Sequence, residues 1–249
     1  MMAVVQVNGF ALNYEQVGAG APLVYIAGTR FDSAKMWVPY MQRHAEGFQV
    51  LLPDPRGMAG SQHVASVKPS DWVADLAGLL DSLGLAKVHL AAETFGSRIA
   101  TRFAADYPNR VSSLILNGVI AYSSPGADEE RARNSDPANI PEDRRRSLEE
   151  YHGADWVQVN AFYLNVHGQP EFHAYYDLRQ VAPRVSAPTL LVRGDVDDPI
   201  HPVRHSVELH ELLPNSWLAI YPKTEFNALR ARPEEAWALI RRFTQEMGG

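Results

Sequence analysis

Apolar positions along this chain arrive in short blocks, and the blocks alternate between two spacings. "VVQVNGFALNYEQVG" (4–18) alternates apolar and polar residues around Asn8-Gly9, predicting two strands joined by a tight hairpin turn. "PLVYIAG" (22–28) and "FQVLLPDPRG" (48–57) are continuous apolar runs stopped by Gly or Pro, the pattern of strands buried on both faces. "SAKMWVPYMQRHA" (33–45) between them predicts a helix. "SDWVADLAGLLDSLG" (70–84) places its apolar residues at helical spacing, with Ser70 positioned to cap the helix and Gly84 to end it. Strand "KVHLAA" (87–92), helix "GSRIATRFAADYP" (96–108) and strand "VSSLILNGV" (111–119) follow. Near the end come strand "PTLLVRG" (188–194), helix "PVRHSVELHELLP" (202–214), strand "SWLAIYP" (216–222) and helix "PEEAWALIRRFTQEM" (233–247).

Strands alternating with helices predict an α/β fold with a mostly parallel central sheet flanked by helices on both faces. Residues 120–184 break the alternation. They open with a polar, charge-rich stretch (126–146) and continue into an aromatic segment carrying Trp156, Phe162, Tyr163, Phe172, Tyr175 and Tyr176. The expected organisation is a core made of 1–119 and 185–249, with a small helical cap inserted at 120–184.

Composition narrows the function. The 249 residues suffice for one large domain. A net charge of −6 disfavours nonspecific binding to nucleic acid or anionic membrane. The absence of cysteine excludes disulfides and thiolate chemistry. The first residues read as an alternating strand rather than a signal peptide, and no window approaches the roughly 18 apolar residues of a membrane span. The expectation is a cytoplasmic protein, monomer or homodimer, acting on a small-molecule substrate or ligand. "GAGAP" precedes no helix and reads as a turn rather than a phosphate loop, His201 and His205 lack the glutamate of a metalloprotease helix, and no cofactor or metal is expected.

Five stretches in order make the chain resemble the α/β-hydrolase fold family from about residue 3 to 247. "YIAGTR" falls where the family has its oxyanion loop, and "LLPDPRGMAGS" is similar to its Asp-x-Arg-Gly-x-Gly-x-Ser stretch with one extra residue before Gly60. "AAETFGS" occupies the nucleophile elbow, "LLVRGDVDDPI" the acid loop, and "YPKTEFNALRARPEE" the segment that carries the family's histidine. The resemblance implies that fold, with a nucleophile, an acid and a histidine in chain order, because a hydroxyl needs a base and the base an orienting carboxylate.

Carried over residue by residue, the pattern is incomplete. Thr94 stands at the nucleophile position. Asp197 matches the Gly-x-x-Asp spacing of the acid, with Asp198 beside it. Glu225-Phe226 stands where a Gly-His pair belongs, and no histidine follows His210. The triad therefore reads as degenerate. Backbone N–H groups of Thr29 and Phe95 are the expected oxyanion donors. Arg30, Phe226, Tyr163 and Tyr176 are candidate substrate contacts, and Glu225 is a candidate acid or base if desolvated. Glu93 reads as structural, as does His89 within its strand, while His63, His167, His173, His201 and His205 are possible replacement bases. Three functions fit. The first is a non-hydrolytic enzyme of natural-product type (cyclase, lyase, isomerase or C–C bond-forming) acting on an apolar carbonyl compound. The others are a hydrolase using Thr94 with an atypical base, and a ligand-binding pseudoenzyme.

Overall fold

The computed structural model describes residues 2–28 and 32–247. Strand β1 (Met2–Val7) and β2 (Phe10–Gly18) form the predicted hairpin. Its turn places Asn8 at φ 49° and Gly9 at φ 82°, the left-handed pair that a two-residue turn between twisted strands requires. The other strands are β3 (Ala21–Ile26), β4 (Phe48–Pro53), β5 (Val88–Glu93), β6 (Val111–Asn117), β7 (Thr189–Gly194) and β8 (Ser216–Tyr221). All lie in one eight-stranded sheet of order β1-β2-β4-β3-β5-β6-β7-β8. β1, β2 and β4 pair antiparallel; every other pairing is parallel.

The continuous apolar runs are explained by burial on both faces. In β5, Leu90 and Ala92 face one core while Ala91 faces the other; Leu114 and Leu116 of β6 alternate with Ile115 in the same way. Helices α1 (Ala34–His44) and α10 (Pro233–Met247) cover one face. Helices α2 (Asp71–Ser82), α3 (Thr94–Asp106) and α8 (Val203–Leu212) cover the other. Gly84 lies just past α2 at φ 66°, as a helix stop should. The expected Ser70 cap does not form: Ser70 is already in helical conformation and its side chain makes no capping bond. Helix α1 is capped instead by Ser33, whose hydroxyl accepts from the Met36 N–H.

Between β6 and β7 lie α4 (Ala127–Ser135), α5 (Glu142–His152), α6 (Trp156–His167) and α7 (Pro170–Tyr175). The short helix α9 (Ala228–Ala231) follows the loop after β8. The β6–β7 helices pack onto the loops at the carboxyl ends of the strands. His152 Nδ1 accepts from the Ala59 N–H at 3.0 Å, His63 pairs with Asp155 at 2.7 Å, and the Phe162 ring lies 2.7 Å from where a β-carbon on Gly57 would sit. No helix among the described residues is long and apolar enough to cross a membrane.

Candidate active site

A cavity of about 500 Å³ opens where the β6–β7 helices meet the strand ends. One wall carries Gly28, Asp32, Glu93, Thr94, Phe95, Asn227 and Arg230, the facing side includes Arg131, Arg144 and Tyr163, and Ile120, His201, Glu225 and Phe226 also line it.

The elbow is a sharp strand-to-helix turn. Thr94, the first residue of α3, has φ 47°. That region is rarely adopted by a β-branched residue and is held only where the surroundings enforce it. The enforcement is visible at Gly28, where a β-carbon would fall 2.2 Å from Thr94 Oγ1 and 3.2 Å from an Asp32 carboxylate oxygen. Only a glycine lets the two loops approach this closely. Phe95 follows on α3, so its N–H belongs to the first helical turn, whose donors have no intrahelical acceptor. Its ring is buried against Trp72, Phe172 and Tyr176. Thr29 and Arg30, the other expected oxyanion and substrate contacts, lie outside the described residues.

Glu93, read from the sequence as structural, is the centre of a buried polar network. It is 1% exposed, and its Oε2 accepts from Tyr25 Oη (2.9 Å), Asn227 Nδ2 (2.7 Å) and Asn117 Nδ2 (3.4 Å). Arg230 reaches Glu93 Oε1 at 3.5 Å and Asp32 Oδ1 at 2.6 Å. Burial, reinforced by Asp32, raises the Glu93 carboxyl to about 7 despite Arg230 and the Tyr25 and Asn227 bonds. Burial alone would lower Arg230, but Asp32 and Glu93 carry it above its ordinary value. The one sequence signal was an acid closing an otherwise apolar strand, "HLAAE".

The acid loop departs from expectation by one residue. Asp197 does not line the cavity: its side chain is 63% exposed and accepts from the Val203 N–H at the start of α8. Asp198 turns inward instead. Its Oδ1 accepts from the backbone N–H groups of Ile200 and His201, both at 2.8 Å, and both its oxygens lie 3.1 Å from His201 Nδ1. Burial alone would raise Asp198, but the bond and charge of His201 hold it below the usual carboxylate range. His201 is itself lowered, because burial outweighs the pull of Asp198. A neutral ring donating from Nδ1 to Asp198 presents Nε2 as an acceptor.

His201 is also stacked face to face on Phe226, with centroids 3.8 Å apart and planes within 8°. One ring thickness thus separates an aspartate-held imidazole from the side chain at the family's histidine position. The Asp-x-x-His spacing of 198 and 201 was the available sequence signal.

The remaining candidates divide. Tyr163 lines the cavity, on α6. Tyr176 does not: it is wholly buried, and its hydroxyl donates to the Pro69 carbonyl at 2.6 Å, so it is a core residue rather than a substrate contact. Glu225 lines the cavity but is exposed, so the desolvation its acid–base role required is lacking. Of the other histidines, His89 bonds Ser113 Oγ at 2.8 Å inside the sheet, and His205 is buried with Ser124 Oγ on Nε2 at 2.9 Å. No group of three or more potential ligands for a metal exists among the described residues.

A family model described as alpha/beta hydrolase fold matches residues 22–172. The chain belongs to that family. It is similar to 2-hydroxy-6-oxo-2,4-heptadienoate hydrolase of Pseudomonas putida, 27% identical over 241 residues, covering 86% of this chain and 85% of the relative. It is likewise similar to the human serine hydrolase BPHL, 28% identical over 234 residues, covering 90% and 80%. Among solved structures, the meta-cleavage product hydrolase CumD of Pseudomonas fluorescens superposes with a TM-score of 0.80 at 19% identity, covering 98% of this chain and 97% of that one. A bacterial membrane phospholipase A superposes with a TM-score of 0.83 at 23% identity, covering 99% and 86%. At those identities the superpositions show the fold alone.

Proposed function

We propose that this chain is a small-molecule enzyme that performs acid–base chemistry at a carbonyl group, non-hydrolytically and without a Ser-His-Asp triad, with the β6–β7 helices acting as a cap. The observation that carries this reading is His201, held by Asp198, stacked on Phe226 and lining the same cavity as Thr94. In it, Asp198 fixes the ring and His201 Nε2 takes or returns the proton. The Thr94 hydroxyl and the first-turn N–H groups of α3 face the developing oxyanion. Phe226 and Tyr163 supply the apolar walls. Among the described residues, Thr94 Oγ1 makes no hydrogen bond to His201, so it serves here as a polar contact rather than an activated nucleophile.

Two observations favour a second reading, a hydrolase in which Thr94 attacks: the φ of 47° at Thr94, and relatives named as hydrolases. A panel of esters, enol and 1,3-dicarbonyl substrates separates the readings. Under the first, His201→Ala lowers turnover by roughly 10²–10⁴-fold, and a fluorophosphonate probe leaves Thr94 unlabelled. Covalent labelling of Thr94 with ester turnover would establish the second. Full turnover by His201→Ala would overturn the assignment of the base.

A further inference from the structure

Around the cavity Arg230 pairs with Asp32 and Glu93, and Asp198 with His201, but a cation just behind the wall has donors left over among the described residues. Arg98, on α3, is 1% exposed. Its Nε donates to the Ile120 carbonyl at 3.1 Å, while Nη1 and Nη2 have no partner among the described residues. The guanidinium lies 5.7 Å from the centre of the Phe172 ring. Burial, and next the Arg131 charge, bring its pKa down to about 9, so it is still a cation at neutral pH.

Among the described residues, no acid pairs with Arg98 alone. Arg131, also buried, adds a second positive charge from α4. Asp128 is the acid acting on Arg98, but its Oδ1 is bound to Arg131 at 2.5 Å and its side chain is 55% exposed. His173 reaches the other Asp128 oxygen at 3.8 Å and is lowered by burial. His205 is held neutral, brought to about 3 by burial and then by Arg98. The Tyr176 hydroxyl is committed to Pro69. Among the described residues, the two guanidiniums and the Asp128 carboxylate sum to +1 beside the Phe172 ring, and a buried charge without a counter-charge is strongly disfavoured.

We infer that Arg98 and Arg131 hold a small monovalent anion, chloride or a carboxylate, between α3 and the helices that follow β6. The charge balance calls for one negative charge, and the two unpartnered Nη groups suit an acceptor that takes parallel N–H donors. The region borders the cavity: Ile120, whose carbonyl accepts from Arg98 Nε, lines it together with Phe95, Arg131 and Tyr163.

The test is thermal unfolding of the full chain at constant ionic strength, replacing isethionate, a bulkier sulfonate, with chloride in one series and acetate in another. An anion binding only the folded state raises Tm saturably, by roughly 5 °C at a hundredfold excess over Kd. Response to chloride alone identifies an inorganic ion; response to acetate alone identifies a carboxylate. Arg98→Met should abolish either response. If that variant does not fold, crystals of the wild type grown with bromide decide, through an anomalous peak beside Arg98 Nη1 and Nη2. No response to either anion, together with no bromide peak, would overturn the inference and leave ordered water as the partner.

Discussion

The two sides of the cavity treat buried charge in opposite ways. Beneath the elbow, Glu93 is surrounded by Tyr25, Asn117, Asn227 and Arg230, and Asp32 gives Arg230 a second anion. Behind Ile120, Arg98 has one backbone acceptor and a neighbouring cation. Burial alone is common to both. The difference is partners, and it teaches that a complete polar network belongs to the scaffold, whereas an incomplete one marks space for something the chain does not supply.

The sharpest way to break this contrast is to remove each centre. Glu93→Ala would leave three donors and Arg230 facing a void, and denaturant unfolding should show a loss of about 3 kcal/mol. A smaller effect comes from pH. The folded Glu93 carboxyl lies near 7 against an ordinary 4.5, so the native state binds more protons than the unfolded chain between those values. Its contribution to stability is therefore fully present below the ordinary value and falls as pH rises toward 7. Asp54, raised by burial to about 6, acts in the same direction, while His201 and His205, both lowered, act in the opposite one. Comparing wild type with Glu93→Gln isolates the acid: the variant should lose Glu93's share of the downward slope, and identical pH profiles would contradict the raised carboxyl. The smallest effect is expected at the other site. In chloride-free buffer Arg98→Met removes a charge without a counter-charge, and stability should change by less than about 1 kcal/mol or rise. A loss as large as that of Glu93→Ala would erase the distinction.

Much of the frame was legible because each element carried its own signal. Most strands of the sheet were apolar runs ended by Gly or Pro, the hairpin was written in Asn8-Gly9, and the elbow was located by the resemblance of "AAETFGS" to the family's turn. The site was less legible because its decisive contacts are made by folding. Spacing from Gly194 pointed to Asp197, but the loop turns Asp197 to cap α8 and Asp198 inward. No local pattern announces that His201 will lie flat on Phe226, a residue on a different loop. Tyr176 shares its aromatic stretch with Tyr163, yet only packing decides that one lines the cavity and the other is sealed against Pro69. The missing Ser70 cap has the same origin: the helix simply begins its turn earlier.

Gly194 has a wider meaning for how this cavity could be altered. A β-carbon there would fall 2.0 Å from the Thr224 carbonyl oxygen and 2.2 Å from that of Glu225. Val196 N–H also donates to the Thr224 carbonyl at 3.0 Å, and Asp195 accepts from Thr224 N–H at 3.2 Å. The loop bearing Asp198 and His201 and the loop bearing Phe226 are therefore clamped, backbone on backbone. For an engineer the two loops are one interchangeable cassette: transplanting either alone would spoil the ring stack, and reshaping the cavity calls for exchanging both together with the glycine between them.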